Sequence, residues 1–319
     1  MSGSSPYRAM ARAGLGCILA IAIAYLMWRF RDEFLKIVRS LSFLQLGGVV
    51  AVLLLQWIAR ALRDQVLYRG LGCDIAVLRI LWVNNLQIAL NYLPMKVGTV
   101  SSAEIFRRTS GLRYGDFAVA MFQQYLYTFF LSFAVASLGV LFVAGHNLQF
   151  RVFASGGLLV LALLPWGLAI LSSRLSIKFS GRLGRFLGGI GRFSGFFMEP
   201  WVLAKVLVFS LMAMFCSAIR IFLLYQGGGF SLGLPEAILF SSALQVSTAI
   251  SITPAGLGVS EGLAALMATS LSYAATEGVV FSVLDRFIVL FSSLGIVMVG
   301  TVIRFLGRIG CIVTDQQKG

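Results

Sequence analysis

Histidine is almost missing from this chain: His146 is the one histidine in 319 residues. Its scarcity removes most imidazole acid–base, triad and metal chemistry. The four cysteines, Cys17, Cys73, Cys216 and Cys311, stand far apart, without the spacing of a zinc site or a disulfide framework. No metal and no cofactor is expected. Charged residues are only 12% of the chain, and 12 acidic residues face 26 basic ones. What is present instead is apolar: 59% of residues, with mean hydropathy +0.91, more than a soluble domain of this length can hide. The chain reads as an all-α polytopic membrane protein, one integral membrane domain over residues 1–319.

Six apolar stretches are predicted to cross about 30 Å of hydrocarbon: Gly14 to Trp28, Leu41 to Ala59, Phe117 to Ala144, Phe153 to Leu171, Trp201 to Tyr225 and Val279 to Ile303. The first follows Arg8 and Arg12 as a signal peptide would. No Ala-x-Ala-like site precedes the charged Arg29 to Arg39 segment, so a retained anchor is expected. The net charge of +14 raises the question of nucleic acid. The Lys and Arg residues sit in short loops between spans, where positive-inside bias and anionic headgroups account for them, and no nucleic-acid partner is expected.

Basic residues by loop number two before the first span, three over 60–74, three over 107–113, five over 173–200 and three in the C-terminal tail. The loops at 227–235 and 272–276 have none. This pattern puts both termini in the cytoplasm of a cell inner or plasma membrane. The Arg29 to Arg39 loop, with four basic residues, is the discordant one. The basic, phenylalanine-rich 173–200 connection fits an amphipathic helix on the inner leaflet or a simple topology anchor.

Two breaks of one skeleton interrupt the apolar pattern. Asn91-Tyr-Leu-Pro94-Met-Lys96-Val-Gly98 and Ser251-Ile-Thr-Pro254-Ala-Gly256-Leu-Gly258 each carry Pro-x-x-x-Gly, then serine, then a carboxylate, Glu104 or Glu261. Pro and Gly free backbone groups that lipid cannot satisfy, so such breaks belong in buried or cavity-lining positions. Loop charges place the ends of Ile75 to Phe106 on one side of the membrane, and likewise those of Glu236 to Leu271. Each segment is therefore read as a re-entrant helical hairpin, 75–106 and 236–271. Three full spans separate them, so span, hairpin and span recur in opposite orientation over 41–144 and 201–306: an inverted repeat. The competing reading makes both breaks proline kinks in ordinary tilted spans.

A half-helix that starts at mid-membrane points free N–H groups and its positive dipole end into the cavity, where an anion can be held. Ser101-x-x-Glu104 has capping-box spacing, and Ser260 is the expected cap of the second half-helix with Glu261 in its first turn. Each glutamate is either a local cap or a group coupled to substrate. Lys96 is the leading anion contact, and Arg107 with Arg108 closes the returning half-helix. Asp285 and Arg286 lie inside the last apolar stretch, where an ionised group costs about 2.5–3.5 kcal/mol on insertion scales. Arg286 can pair with Glu261, meet an anion directly, or pair with Asp285. Arg220 is a further intramembrane charge. A polar band, with Asn84, Gln87, Asn91, Gln124, Tyr125, Gln245 and Thr248, could line a groove or bond between helices.

At Asn91-x-Leu-Pro-x-Lys-x-Gly98, Arg107-Arg108-x-x-Gly111-Leu112, Thr253-Pro-Ala-Gly-Leu-Gly-Val-Ser-Glu261-Gly262 and Leu284-Asp285-Arg286 the chain resembles the transmembrane region of the lysylphosphatidylglycerol synthase/flippase family. The resemblance implies movement of an anionic phospholipid or polyprenyl-phosphate-linked headgroup between leaflets. It places functional residues at Pro94, Lys96, Gly98, Pro254, Gly256, Gly258, Glu261 and Arg286. Thr99 and Ser102 stand where many relatives have an acid and a base. The chain ends soon after Arg308, so the soluble aminoacyl-transfer domain, lysine transfer and a tRNA partner are not expected. Partners would be membrane lipids or lipid-linked saccharides and, in one alternative, envelope-biosynthesis proteins that the chain assists as an accessory subunit. The other alternative is a membrane enzyme acting on lipid phosphates through Glu104, Glu261 and Asp285.

Overall fold

Length separates the helices into two kinds. The computed structural model describes residues 35, 39–93, 96–142, 152, 154–163, 200–250, 256 and 258–316. The expected anchor at Gly14 to Trp28, the two prolines Pro94 and Pro254, and the basic connection up to residue 199 lie outside the described residues. Long helices are α1 (Phe43–Gly70), α4 (Tyr114–Phe142), α6 (Pro200–Gly227) and α9 (Ala275–Gln316). Short ones are α2 (Val77–Leu90), α3 (Val97–Ser110), α5 (Ala154–Leu163), α7 (Leu234–Ile250) and α8 (Val259–Ser270). No strand occurs among the described residues.

Four helices, α1, α4, α6 and the Ala275–Ile303 part of α9, are long and apolar enough to span a membrane. The 28 residues of α1 run to about 42 Å. In contrast, the 14 residues of α2 and of α3 reach only about 21 Å each, short of a crossing. The outer face of α9 carries exposed Phe291, Leu294, Met298, Val299 and Val302, a surface suited to lipid tails.

The sequence reading treats 60–74 as a loop, and here the structure differs. Ser42 caps α1 reciprocally with Gln45 (3.2 and 2.9 Å), and the helix continues through Ala59 to Gly70. Arg60, Arg63 and Asp64 are therefore helical residues. They stay in the helix because Arg63 and Asp64 are satisfied by side chains inside the protein, which hydropathy alone does not register.

Both short-helix pairs fold back on themselves. Gln87 Nε2 at the end of α2 donates to Thr99 Oγ1 at the start of α3 (3.3 Å), and Arg79 Nη1 at the other end donates to Thr109 O (3.5 Å). Ser247 and Ser260 hydroxyls meet at the α7–α8 turn (2.8 Å), while Tyr273 OH beyond α8 reaches Ser231 O before α7 (3.1 Å). A kinked but continuous span would instead carry the second helix away from the first.

The helices pack in pairs. α1 lies along α6, α2 lies on α9, and α7 lies on α4. Trp82 of α2 sits over Gly300 and donates from Nε1 to Val297 O (3.2 Å), just as Ile238 and Leu239 of α7 cover Gly139 of α4. Gly139 follows Tyr114 by the same interval as Gly300 follows Ala275, and Arg63 follows Phe43 as Arg220 follows Pro200. Each short-helix pair joins an aromatic cluster with the flanking long helices. Phe106 stands between Tyr68 and Phe117 (centroids 5.1 and 6.1 Å), and Tyr225 stacks on Phe281 (3.8 Å).

Candidate functional site

The first break is satisfied from the helix before it. Asn91 ends α2, and its Oδ1 accepts from the backbone N–H of Thr99 (3.2 Å), so a side chain outside α3 fills one of that helix's free donors. Lys96 occupies the N-cap position in left-handed backbone (φ 52°), where its own side chain caps nothing. Gly98 is fully engaged by its neighbours: a Cβ there would run into Gln87 O and the Asn91 side chain, so only glycine lets α2 and α3 approach this closely.

Two expectations change here. Ser101 lies inside α3 rather than at its N-cap, because the helix already begins at Val97. Glu104 closes no box. It pairs with Arg107 (2.8 Å) and accepts from Arg108 and from the Tyr114 hydroxyl near the C-terminal end of α3. Arg107 also lies over the Tyr114 ring (5.4 Å). This exposed cluster lines neither of the cavities described below, and neither does Lys96.

At the second break the satisfaction is local. Gly258 (φ 85°) is the N-cap of α8 and its N–H donates to Glu261 Oε2 (2.7 Å), while Gly256 also takes a positive φ of 71°. Ser260 is therefore not the cap. Its hydroxyl instead meets Ser247 and Gly256 O (3.3 Å), tying the two halves of the hairpin.

Arg286 of α9 joins the breaks. Its Nε lies 3.2 Å from Glu261 Oε1, its Nη2 donates to Gly256 O (3.0 Å), and its own backbone oxygen accepts from the Tyr92 hydroxyl of the first break (3.2 Å). Glu261 thus acts both as a cap and as the partner of a membrane arginine. The neighbouring Asp285 does not pair with Arg286: it pairs with Arg220 of α6. Consecutive helical residues point about 100° apart, so each finds its own partner. On α1, Arg63 pairs with Asp64 (3.0 Å), whose second oxygen accepts from Asn84 Nδ2 (2.8 Å).

Two cavities of about 250 and 270 Å³ lie between these elements. The first reaches Asp64, Asn84, Gln87, Gln124 and Tyr125; the second reaches Arg220, Ser260, Asp285 and Arg286. Trp57, Arg60, Ile88, Asn91, Gln245 and Thr248 line both. Around them, four arginines (60, 63, 220, 286) face three carboxylates (64, 261, 285), and Arg60 is the arginine left over. It makes no hydrogen bond or ion pair among the described residues. Arg220 Nε, Arg286 Nη1 and Gln245 Nε2 are further buried donors without a partner. No cluster of three metal-ligating side chains occurs among the described residues.

Gln56, Arg60, Arg63 and Asp64 escape the sequence reading, although a signal was there. Their spacing puts them on one face of α1, and a polar stripe at helical period in an apolar span marks an inward face.

These features define a multi-pass, all-helical membrane protein built around a charged internal cavity. The chain belongs to the lysylphosphatidylglycerol synthase TM region family, whose model matches residues 15–296, nearly the whole sequence. No curated protein and no solved structure matches it.

Proposed function

We propose that the protein is a lipid translocator that moves the headgroup of an anionic phospholipid or polyprenyl-phosphate-linked lipid between leaflets while the tails stay in the bilayer. The observation that carries this reading is that residues beside both helix breaks, Asn91 and Tyr92 at the first and Thr248 and Ser260 at the second, line a pair of adjoining cavities whose surrounding charges sum to a net positive. Membrane arginines are costly, and a surplus one facing a polar space is suited to an anion that visits it.

In this reading the two hairpins are re-entrant, and six full spans surround them. Residues 41–144 and 201–306 form an inverted repeat whose rocking exposes the cavities alternately. The paired placement of Gly139 with Gly300, and of Arg63 with Arg220, supports such a repeat. Both termini lie in the cytoplasm, and the membrane is the cell inner or plasma membrane. The acids that a lipid-phosphate enzyme would need are held otherwise. Glu261 and Asp285 are engaged by arginines, and Glu104 is outside the cavities, which favours transport over catalysis and no enzymatic role. The anionic lipid is the partner that the site requires.

Purified protein in vesicles doped with a headgroup- or tail-labelled anionic lipid provides the test. Wild-type protein should speed exchange of the label between leaflets. Arg286→Ala should remove that acceleration while the protein still elutes as a folded particle in detergent. Empty-vesicle rates with the wild-type protein would refute the proposal.

A further inference from the structure

Resting on the translocator reading, the difference between the two hairpins also defines where a lipid enters. A headgroup that crosses while its tails stay in the bilayer needs a wall that opens sideways to lipid. Each hairpin lays its returning helix beside the long helix that follows, α3 beside α4 and α8 beside α9. The two seams are not alike: α8 lies extensively along α9, whereas α3 touches α4 only lightly.

Counted from the break glycines Gly98 and Gly258, the residues that shut the second seam have ill-fitting counterparts in the first. Ala264 and Ala268 of α8 are buried where they meet Gly278 of α9, and a Cβ on Gly278 would strike the Ala264 backbone. Glu104 and Arg108 stand at those places on α3, and Phe117 of α4 stands where α9 has Gly278. Alanine and glycine let two helices touch; long charged side chains and a phenyl ring hold them apart. The ion pair across the second seam is also missing from the first, where Ser101 and Tyr125 replace Glu261 and Arg286. Exposure follows: Ser260 of α8 is 3% exposed, and its counterpart Val100 of α3 is 65% exposed.

The first seam is joined at its base and splayed toward the break. At the base Phe106 lies against Phe117 (6.1 Å), Glu104 accepts from the Tyr114 hydroxyl, and Arg107 lies over the Tyr114 ring (5.4 Å). Toward the break Val97 and Val100 are exposed on α3, while Met121, Gln124 and Tyr125 of α4 line the first cavity, to which α3 adds no residue. An apolar edge outside and a polar wall inside suit a lipid whose tails leave through the gap.

We propose that the α3–α4 seam is the lateral portal of the first cavity and that the Glu104–Tyr114 contact is its latch. One carboxylate ties α3 to α4 and pairs with Arg107 and Arg108 of its own helix, leaving one of those two charges unmatched. Both arginines are exposed, so an arriving anionic headgroup reaches them and competes with Glu104. Exposed pairs of this kind are weakly held and part readily. The Glu261–Arg286 pair is buried, so the second seam stays shut while the first opens.

The test locks the latch in the full chain. With the four native cysteines replaced by serine, Glu104→Cys with Tyr114→Cys removes the latch and should move tail-labelled phosphatidylglycerol across vesicle membranes at least as fast as wild type. Bridging the two thiols with a short, reductant-cleavable bis-maleimide should reduce the rate to that of empty vesicles, and reductant should restore it. The same reagent across Arg69→Cys and Asp74→Cys, an exposed ion pair (2.8 Å) at the same end of the hairpin but off the seam, should leave the rate unchanged. Phosphatidylglycerol with a diazirine in its acyl chain should label Met121, Gln124 and Tyr125 before bridging and not after. Glu104→Gln, which loosens the latch without added thiols, should transfer faster than wild type. Labelling that survives bridging, or slower transfer by Glu104→Gln, would overturn the assignment.

The two readouts separate this inference from the reading beneath it. Labelling that bridging abolishes, in a protein that never speeds transfer, would refute the translocator and leave the portal standing. Transfer that continues unchanged after bridging would refute the portal and leave the translocator standing.

Discussion

The two helix breaks share a sequence skeleton and solve the same backbone problem differently. In the first, Asn91 of the preceding helix reaches across to the Thr99 N–H, and the hairpin is satisfied by neutral groups of its own. In the second, Glu261 inside the returning helix caps Gly258 and at the same time holds Arg286 of the neighbouring span. One break meets α9 through a neutral hydrogen bond from the Tyr92 hydroxyl to Arg286 O, and the other is bolted to α9 by charge. The packing agrees, since α8 lies extensively against α9 whereas α3 touches α4 only lightly. Similar motifs therefore need not have equivalent roles: the first hairpin can shift without breaking an ion pair, and the second cannot.

The largest effect should come from the charge pair that anchors α9 to α6. Asp285→Asn leaves Arg220 buried without its partner and should cost about 3–5 kcal/mol, read as a lowered melting temperature in detergent, whereas replacing both residues by apolar ones should recover most of it. A single and a double variant of equal stability would show that the pair does not hold the spans. The next effect belongs to the second break. Glu261→Gln keeps an oxygen for the Gly258 N–H but loses the charge facing Arg286, and should cost about 1.5–3 kcal/mol. The first break should respond least, with Asn91→Ala costing about 1 kcal/mol for one lost cap. Hydrogen exchange should then show faster opening around Thr99 and unchanged protection in α8. If Asn91→Ala proves as damaging as Glu261→Gln, the contrast between the breaks fails.

Much of this was legible in the sequence because hydrocarbon imposes strong rules. Apolar length marks the spans α1, α4, α6 and α9, and Pro-x-x-x-Gly marks the breaks. Arg286 inside a span announces that it needs a partner, and Glu261 is among the candidates. The capping residues were not legible, because caps depend on where the first helical turn starts. Val97 and Val259 begin their helices earlier than Ser101 and alongside Ser260, which hands the cap positions to Lys96 and Gly258. Arg60 was hidden for a different reason. Counting basic residues by loop treats any arginine near the end of an apolar run as exposed. Only the helical face, set by Gln56, Arg60 and Arg63 together, distinguishes a cavity-lining guanidinium from one that snorkels to headgroups. The partner of Asp285 was illegible because Arg220 is distant in sequence and the helix contact that joins them is tertiary.

The central claim is that a wet, positively charged space lies between the two breaks, and thiol labelling at Thr248, which lines both chambers, tests it most directly. In a chain whose four native cysteines are replaced by serine, Thr248→Cys should react with water-soluble thiol reagents from vesicles. An anionic reagent should react several-fold faster than a cationic one of similar size, and Arg60→Gln should abolish that preference. No labelling, or equal rates for the two reagent charges with Arg60 intact, would contradict the account.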